Sequence, residues 1–261
     1  MQHISRSGLW PALILLLGSL SACATHKAPV PLHQAQGKTP KVIGLPTFDV
    51  SRKLDVRREN PMYAIIGLSA RLVQQMVQEY HRVEYARANP KLHRECLARL
   101  RNRIKRRLRH LGYRVRDLKM NYWQAQAAYR KGAPELRGVD ALLHVQIKRF
   151  GYYSASPFKP YRPGMIVAAD LVSTKSRRTI ASNVYNVGYD PEDVPKLELG
   201  IDYMTTIHVA ERRFFYRNYD ELIAHARASA KALRFIASVA AESIAGDMRI
   251  RSGQFMLARR R

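Results

Sequence analysis

The 261-residue chain is predicted to have an α/β (α+β) fold, with a mixed central sheet that contains a β-hairpin and is flanked by amphipathic helices. Three observations support this prediction. Short apolar runs alternate with long segments of helical periodicity, two strand-like segments are separated by a turn of hairpin length, and hydrophobic residues make up 46% of the chain. The predicted order is strand, helix, strand, helix, strand, hairpin, helix, with a long helical insertion after strand 1.

The first strand is predicted at residues 41–46, an apolar run that ends at a proline. A helix follows, with Asn60 as its N-cap and Pro61 at its first helical position. Its apolar residues recur at three and four positions and give one stripe: Ile65, Leu68, Leu72, Met76, Tyr80 and Val83.

A second helix is predicted after the break at Asn89 and Pro90, and it ends before Gly112, where a C′ glycine is expected. Residues 113–115 then predict a brief strand. The inward-facing stripe of this helix is expected to consist of Leu97, Leu100, Ile104, Leu108 and Leu111.

The second half of the chain adds a helix at 122–130 and a strand at 141–150, in which apolar and polar residues alternate. Residues 151–163, rich in Tyr and Pro, are predicted to form a loop that either contacts another protein or folds on its own sheet. Three further elements are expected: the hairpin arms at 165–173 and 179–189, and a long Ala-rich helix at 219–246.

The N-terminus resembles an export signal, because Arg6 precedes a short apolar run at 9–20 that is too short to span a bilayer. The run closes on a segment that resembles the lipobox of bacterial lipoproteins: Leu20-Ser21-Ala22-Cys23. The resemblance implies cleavage before Cys23, lipidation of its thiol and acylation of its new amino group, with palmitate among the attached lipids. Ala24 then implies sorting to the outer membrane. An ordinary secretory signal with a chance cysteine is the alternative.

Four parts of the chain follow from this interpretation. Residues 1–22 are the lipoprotein signal peptide, 23–40 a proline-containing flexible tether, 41–248 a single α/β domain, and 249–261 a basic tail. The predicted location is the periplasmic side of the outer membrane, with the protein anchored by lipid.

The net charge of +25 would favour nucleic acid as the partner of a cytosolic protein, but export argues against nucleic acid. The acidic partners outside the inner membrane are anionic lipids, lipopolysaccharide and acidic envelope proteins. A merely solvated surface is the alternative. The candidate anion- or partner-binding residues crowd the second helix, and they are Arg99, Arg103, Lys105, Arg106, Arg107 and Arg109. Like charges four residues apart repel, so an anion would relieve the helix.

Cys96 has no cysteine partner once Cys23 is lipidated, and it is expected to be a small buried residue. The acidic loop at 190–202 fits no calcium-binding spacing and is expected to pair with arginines of the same chain. No catalytic motif is present, so we expect no enzyme activity, no cofactor and no metal site.

The chain resembles a superfamily of envelope lipoproteins that includes the penicillin-binding-protein activator lipoprotein and the curli secretion subunit. The resemblance rests on local segments at 42–46, 111–115, 138–143, 169–172 and 179–182. It implies a fold like the N-terminal domain of the Tol-system translocation protein, together with lipidation at Cys23.

The function expected from these features is that of a lipid-anchored adaptor lipoprotein that binds another envelope protein or complex. The alternative is a subunit of an oligomeric outer-membrane secretion pore, for which residues 165–189 would have to reach lipid. Asp170, Asn183 and Asn186 in these arms disfavour the pore.

Overall fold

The computed structural model describes residues 40–50, 54–60, 62, 67–194, 199–209 and 211–249, and all structural statements refer to these. Cys23, with the predicted signal and tether, lies outside the described residues. So does the basic tail beyond Arg249, which is itself exposed.

The described strands form one mixed sheet, as the sequence predicts. Their bounds are β1 Val42–Thr47, β2 Asp49–Val50, β3 Asp55–Arg58, β4 Arg114–Asn121, β5 Ala141–Ser154, β6 Arg162–Ser173, β7 Thr179–Val187 and β8 Thr205–Ile207. The spatial order is β4-β1-β5-β6-β7-β8, and β2 and β3 follow β1 along the same edge of β5. Strand β6 pairs antiparallel with both β5 and β7, and β6 and β7 are the arms of the predicted hairpin. The remaining strand pairs are parallel.

Five α-helices accompany this sheet in the described part of the chain. They are α1 Leu68–Ala88, α2 Leu92–His110, α3 Tyr122–Arg130, α4 Tyr219–Ala224 and α5 Ala226–Asp247. The helical insertion therefore follows the β1–β3 edge, and the predicted fold class is confirmed.

The main core lies between one face of the sheet and the pair α2–α5. The predicted stripe of α2 is buried at Leu100, Ile104 and Leu108, which are 0% exposed. On α5 the buried positions include Ala237 and Ala240, and such small side chains let this helix approach β6 and β7 closely. The apolar area that α2 removes from water fixes the helix on the body.

The C-terminus of α2 has the predicted glycine. Gly112 adopts a φ of +91°, and the amide of Tyr113 donates to the carbonyl of Leu108 at 3.1 Å while that of Gly112 donates to Arg109 at 3.0 Å. These two bonds are those of a Schellman motif, and they satisfy carbonyls that the helix end would otherwise leave open.

The predicted loop at 151–163 is shorter in the structure, because its first four residues extend β5 and its last two begin β6. Tyr152 and Tyr161 are buried in the main core, and Tyr153 packs with Ile166 and Tyr189 on the second face. β3 pairs alongside this end of β5. The aromatic segment therefore folds largely on its own sheet, although Phe158 at the loop tip is 97% exposed.

The single C-terminal helix predicted at 219–246 is two helices, α4 and α5. His225 separates them, with a φ of −105° and a ψ of 31° that depart from helical values. Asn218 caps α4 by accepting from the amide of Glu221 at 2.8 Å.

The second face of the sheet is covered at both ends. The helix α3 closes one end over Leu118, Val139 and Leu142. Apolar residues of the 189–201 segment close the other end over Ile166 and Val184. Both hairpin arms are thus core strands of this sheet, so reaching lipid, as the pore alternative requires, would mean leaving it.

Two carboxylates of the acidic loop pair with cations of the same chain, one of which is an arginine as expected. Asp190 contacts Arg162, and Asp193 accepts from Lys159 at 2.6 Å.

Cys96 is 0% exposed, and burial raises the pKa of its thiol to about 12. The predicted buried role of this cysteine is confirmed, and its thiol stays protonated near neutral pH.

Candidate anion-binding surface on helix α2

The outward side of α2 carries the densest group of cations in the described part of the chain. Its inward side is fixed by the leucine stripe, so the arginines between those positions must face solvent or neighbouring elements. They divide between the edge next to α5, the edge next to β4, and the exposed face.

At the edge next to α5, ion pairs connect α2 to α5. Glu242 of α5 accepts from Nε of Arg103 at 2.8 Å through one oxygen and lies 2.9 Å from Nε of Arg107 through the other. About two turns nearer the N-terminus of each helix, Arg234 of α5 contacts Glu95 of α2 at 2.6 Å. Side-chain exposure of 45% for Arg103 and 48% for Arg107 keeps these guanidinium groups accessible. Glu242 therefore orients two arginines without enclosing them.

A surface cavity of about 280 Å³ opens at this edge. It is lined by Arg103, Arg106, Arg107, His110 and Glu242. Three guanidinium groups against one carboxylate leave an excess of positive charge even with the imidazole neutral. The planar fork of arginine matches carboxylate and phosphate oxygens in bidentate geometry. The cavity can therefore bind an acidic group.

At the edge next to β4, the cations of α2 are bonded to groups of the protein itself. Nη2 of Arg101 donates to the carbonyl of Leu45 at 2.7 Å and to Asp117 at 3.1 Å, and its Nη1 donates to the carbonyl of Pro46. Lys105 pairs with the other oxygen of Asp117. Burial alone would raise the pKa of Asp117, but the hydrogen bond from Lys105 and the charge of Arg101 hold it below its ordinary value.

Replacing Asp117 with asparagine should lower the free energy of unfolding by about 0.5–1 kcal/mol at pH 7, a small effect because the pair is partly exposed. A carboxylate whose folded pKa is lowered stabilises the protein above the unfolded pKa and loses that effect as pH falls through the folded one. The difference between the two proteins in urea unfolding should therefore shrink below about pH 4. A difference of the same size at pH 3 and pH 7 would contradict this.

The candidate cations predicted from the sequence thus have different environments. Arg103, Arg107 and Lys105 have carboxylate partners, which relieve part of the expected repulsion within α2. The side chains of Arg99, Arg106 and Arg109 are exposed, and no ion pair or hydrogen bond is seen for them in the part of the chain that the structure describes.

Two members of the site escape sequence reasoning. His110 is at the end of α2, three residues from Arg107, and could have been included from helical spacing alone. Glu242 is 139 residues from Arg103, and only the packing of α5 on α2 brings it there. In the described part of the chain, no helix is long and apolar enough to cross a membrane.

No family model matches the chain, and no curated protein matches it significantly. The superfamily membership expected from the sequence therefore stays a prediction. Several solved structures are similar to the chain at low identity. A PelC dodecamer from Paraburkholderia phytofirmans is 9% identical, with a TM-score of 0.38, covering 84% of this chain and 95% of that chain.

A protein of Xanthomonas campestris assigned to the family DUF330 is also 9% identical, with a TM-score of 0.39, covering 89% of this chain and 97% of that chain. A lipoprotein from Neisseria meningitidis is 12% identical, with a TM-score of 0.30, covering 62% of this chain and 91% of that chain.

Proposed function

We propose that the protein is a lipid-anchored adaptor of the bacterial envelope, which docks through α2 on an acidic surface of another envelope protein. The exposed cationic face of α2 carries this proposal. Arg99, Arg106 and Arg109 point away from the body, next to a cavity in which Glu242 presets two further guanidinium groups. The lipobox-like segment ending at Cys23 supports the anchor and the location.

The fixed geometry of this face favours a protein as the ligand. Glu242 holds Arg103 and Arg107 in place, so less side-chain freedom is lost when an acidic partner binds. Guanidinium groups held in fixed positions suit the carboxylates of a folded protein, which also have fixed positions. The headgroups of anionic lipids are mobile, and binding them would not require such fixed guanidinium groups. Charge of one sign on such a face also raises the association rate with an acidic partner.

The proposal is tested by photo-crosslinking in cells that produce the full chain. The crosslinking amino acid replaces Asn102, an exposed residue of α2 between Arg99 and Arg106. We expect a discrete adduct with one envelope protein in the membrane fraction. In the same background, the triple variant Arg99→Glu, Arg106→Glu and Arg109→Glu should lower the adduct yield about tenfold or more. Each exposed ion pair with the acidic partner contributes up to about 1 kcal/mol to the free energy of binding, and the variant removes all three.

A second triple variant controls for net charge alone. Lys131→Glu, Lys175→Glu and Arg178→Glu change the charge equally at exposed positions away from α2. This variant should keep the adduct. Equal loss in both triple variants, or no adduct at position 102 at all, would rule out α2 as the docking surface.

A further inference from the structure

The helix α1 presents its apolar face to solvent. Six large apolar side chains of this face are between 46% and 74% exposed: Leu68, Leu72, Val73, Met76, Val77 and Tyr80. Only Tyr85, near the C-terminus of α1, is buried. Of the predicted stripe, Leu68, Leu72, Met76 and Tyr80 are exposed. Val83 is partly buried, and Ile65 lies outside the described residues.

The polar side of α1 holds it on the protein. Both Gln74 and Gln78 donate from Nε2 to the carbonyl of Arg58 in β3 at 3.0 Å. Nε of Arg57 donates to Oε1 of Gln78 at 3.1 Å. At the other end, the hydroxyl of Tyr219 donates to Glu84 at 2.9 Å. These bonds fix the rotation of the helix, so the apolar face cannot turn inward without breaking them.

Such a face indicates an interaction surface. At 1.5 Å per residue, a helix of 21 residues is about 30 Å long, and its apolar side chains line much of that length. Contiguous apolar patches of this kind are uncommon on monomeric soluble proteins and mark protein or membrane contacts.

Two occupants of this apolar face can be compared by charge, a second copy of the chain and an anionic lipid surface. A second copy of this chain would bring the same net charge of +25 to the contact. Exposed cations lie at both ends of the apolar face, with Arg71 at one end and Arg87, Lys91 and Arg94 at the other. Of the two acids of α1, Glu79 is paired with Arg82, and Glu84 accepts the hydrogen bond from Tyr219. An anionic lipid surface complements this pattern, since it accepts apolar side chains and binds the flanking cations.

The chain outside the described residues also places a membrane within reach. Residues 24–40 separate Cys23 from the body and span about 50 Å when extended, at about 3 Å per residue. A body tethered at that distance meets the membrane surface repeatedly, which favours a second, weaker contact.

We propose that α1 is an interfacial helix, which lays the apolar face of Leu68 to Tyr80 into an anionic lipid surface parallel to the membrane plane. The polar side of α1 stays on β3 during this contact. The proposal goes beyond the adaptor function and needs neither α2 nor its partner. Lipid contact through α1 would orient the body, leaving α2 to bind the protein.

The test uses the mature chain, residues 23–261, with Cys23→Ser, so that neither the apolar run of the signal peptide nor an acyl chain contributes. The vesicles consist of phosphatidylcholine with or without phosphatidylglycerol. Binding should require the anionic lipid. The variant Leu72→Ser, Met76→Ser and Tyr80→Ser should weaken vesicle binding by about 100-fold, because each side chain leaves the lipid. The control replaces exposed apolar residues elsewhere, with Trp123→Ser, Phe158→Ser and Tyr203→Ser, and should bind as the parent does.

An environment-sensitive fluorophore on Met76→Cys gives an independent measurement. Cys96 should not react, because it is buried and its thiol has a raised pKa. A blue shift on adding anionic vesicles is expected, and the same fluorophore on Asn102→Cys should not shift. The proposal is overturned if both sites respond equally or if neither does. It is also overturned if α1 substitutions abolish a dimer seen by sedimentation without changing vesicle binding, which would assign the face to a second copy.

The two proposals fail separately. If the adduct at position 102 forms but vesicles are not bound, the role of α1 is wrong and the docking function of α2 stands. If vesicles are bound but no adduct forms, the reverse holds.

Discussion

Replacing Gly151 with alanine should lower the free energy of unfolding by more than about 3 kcal/mol, as expected for strain at a special backbone position combined with overpacking. Gly151 has a φ of +145°, and a Cβ atom there would lie 1.9 Å from the carbonyl oxygen of Asp55. Asp55 is its register partner, where β3 pairs with β5. The side chain cannot fit unless β3 leaves the sheet, which would uncover the aromatic end of the core.

Gly246→Ala is the matched control. Gly246 lies in α5, and nothing stands within 4 Å of the position its Cβ would take. Alanine there should stabilise the helix slightly, by up to about 1 kcal/mol. Urea unfolding followed by circular dichroism measures both variants. A Gly151→Ala protein that unfolds at the same urea concentration as the parent would show that β3 does not pair as described.

The elements that the sequence predicted well are those whose signals are local. The helix α3 begins and ends where predicted, because Asn121 and Gln124 form a capping box that fixes its first turn. The C-terminus of α2 is equally local, since Gly112 supplies the left-handed residue. In such cases a few neighbouring residues determine the backbone.

The sequence missed structure that depends on distant pairing. Gly151 looks like a break at the end of a strand, yet β5 continues through it because β3 adds alongside. The requirement for glycine comes from the approach of Asp55, which is almost a hundred residues away in the chain. Similarly, the candidate cations of α2 are visible in the sequence, but the pairing of Arg103 with Glu242 depends on helix packing.

The orientation of α1 shows a different limit. Periodicity locates an apolar stripe but does not say whether the stripe faces the body, since that depends on what the opposite side can bind. In α1 the opposite side offers Gln74 and Gln78, which satisfy the carbonyl of Arg58 at the edge of β3. Those bonds, and the one buried tyrosine, hold the helix with its apolar side outward.

That buried tyrosine carries the second large prediction. Replacing Tyr85 with alanine should lower the free energy of unfolding by about 3–5 kcal/mol, as for other buried aromatic residues. Tyr85 is 0% exposed, and its hydroxyl lies 2.7 Å from Oγ of Ser229 in α5. The ring centroids of Tyr85 and Tyr152 lie 6.1 Å apart in a T-shaped arrangement. Tyr85→Phe keeps the packing and removes the hydroxyl, and should cost about 1 kcal/mol.

Tyr80→Ala makes the same chemical change five residues earlier in α1, at a residue that is 63% exposed. Its effect in urea unfolding should stay within about 0.5 kcal/mol. The contrast between these two tyrosines tests which side of α1 belongs to the body. If Tyr80→Ala destabilises the protein as much as Tyr85→Ala, the apolar stripe is part of the core and cannot be a lipid contact. If only Tyr85 matters, Tyr80 is not needed for folding and its exposed ring is free to take part in binding, as the lipid contact requires.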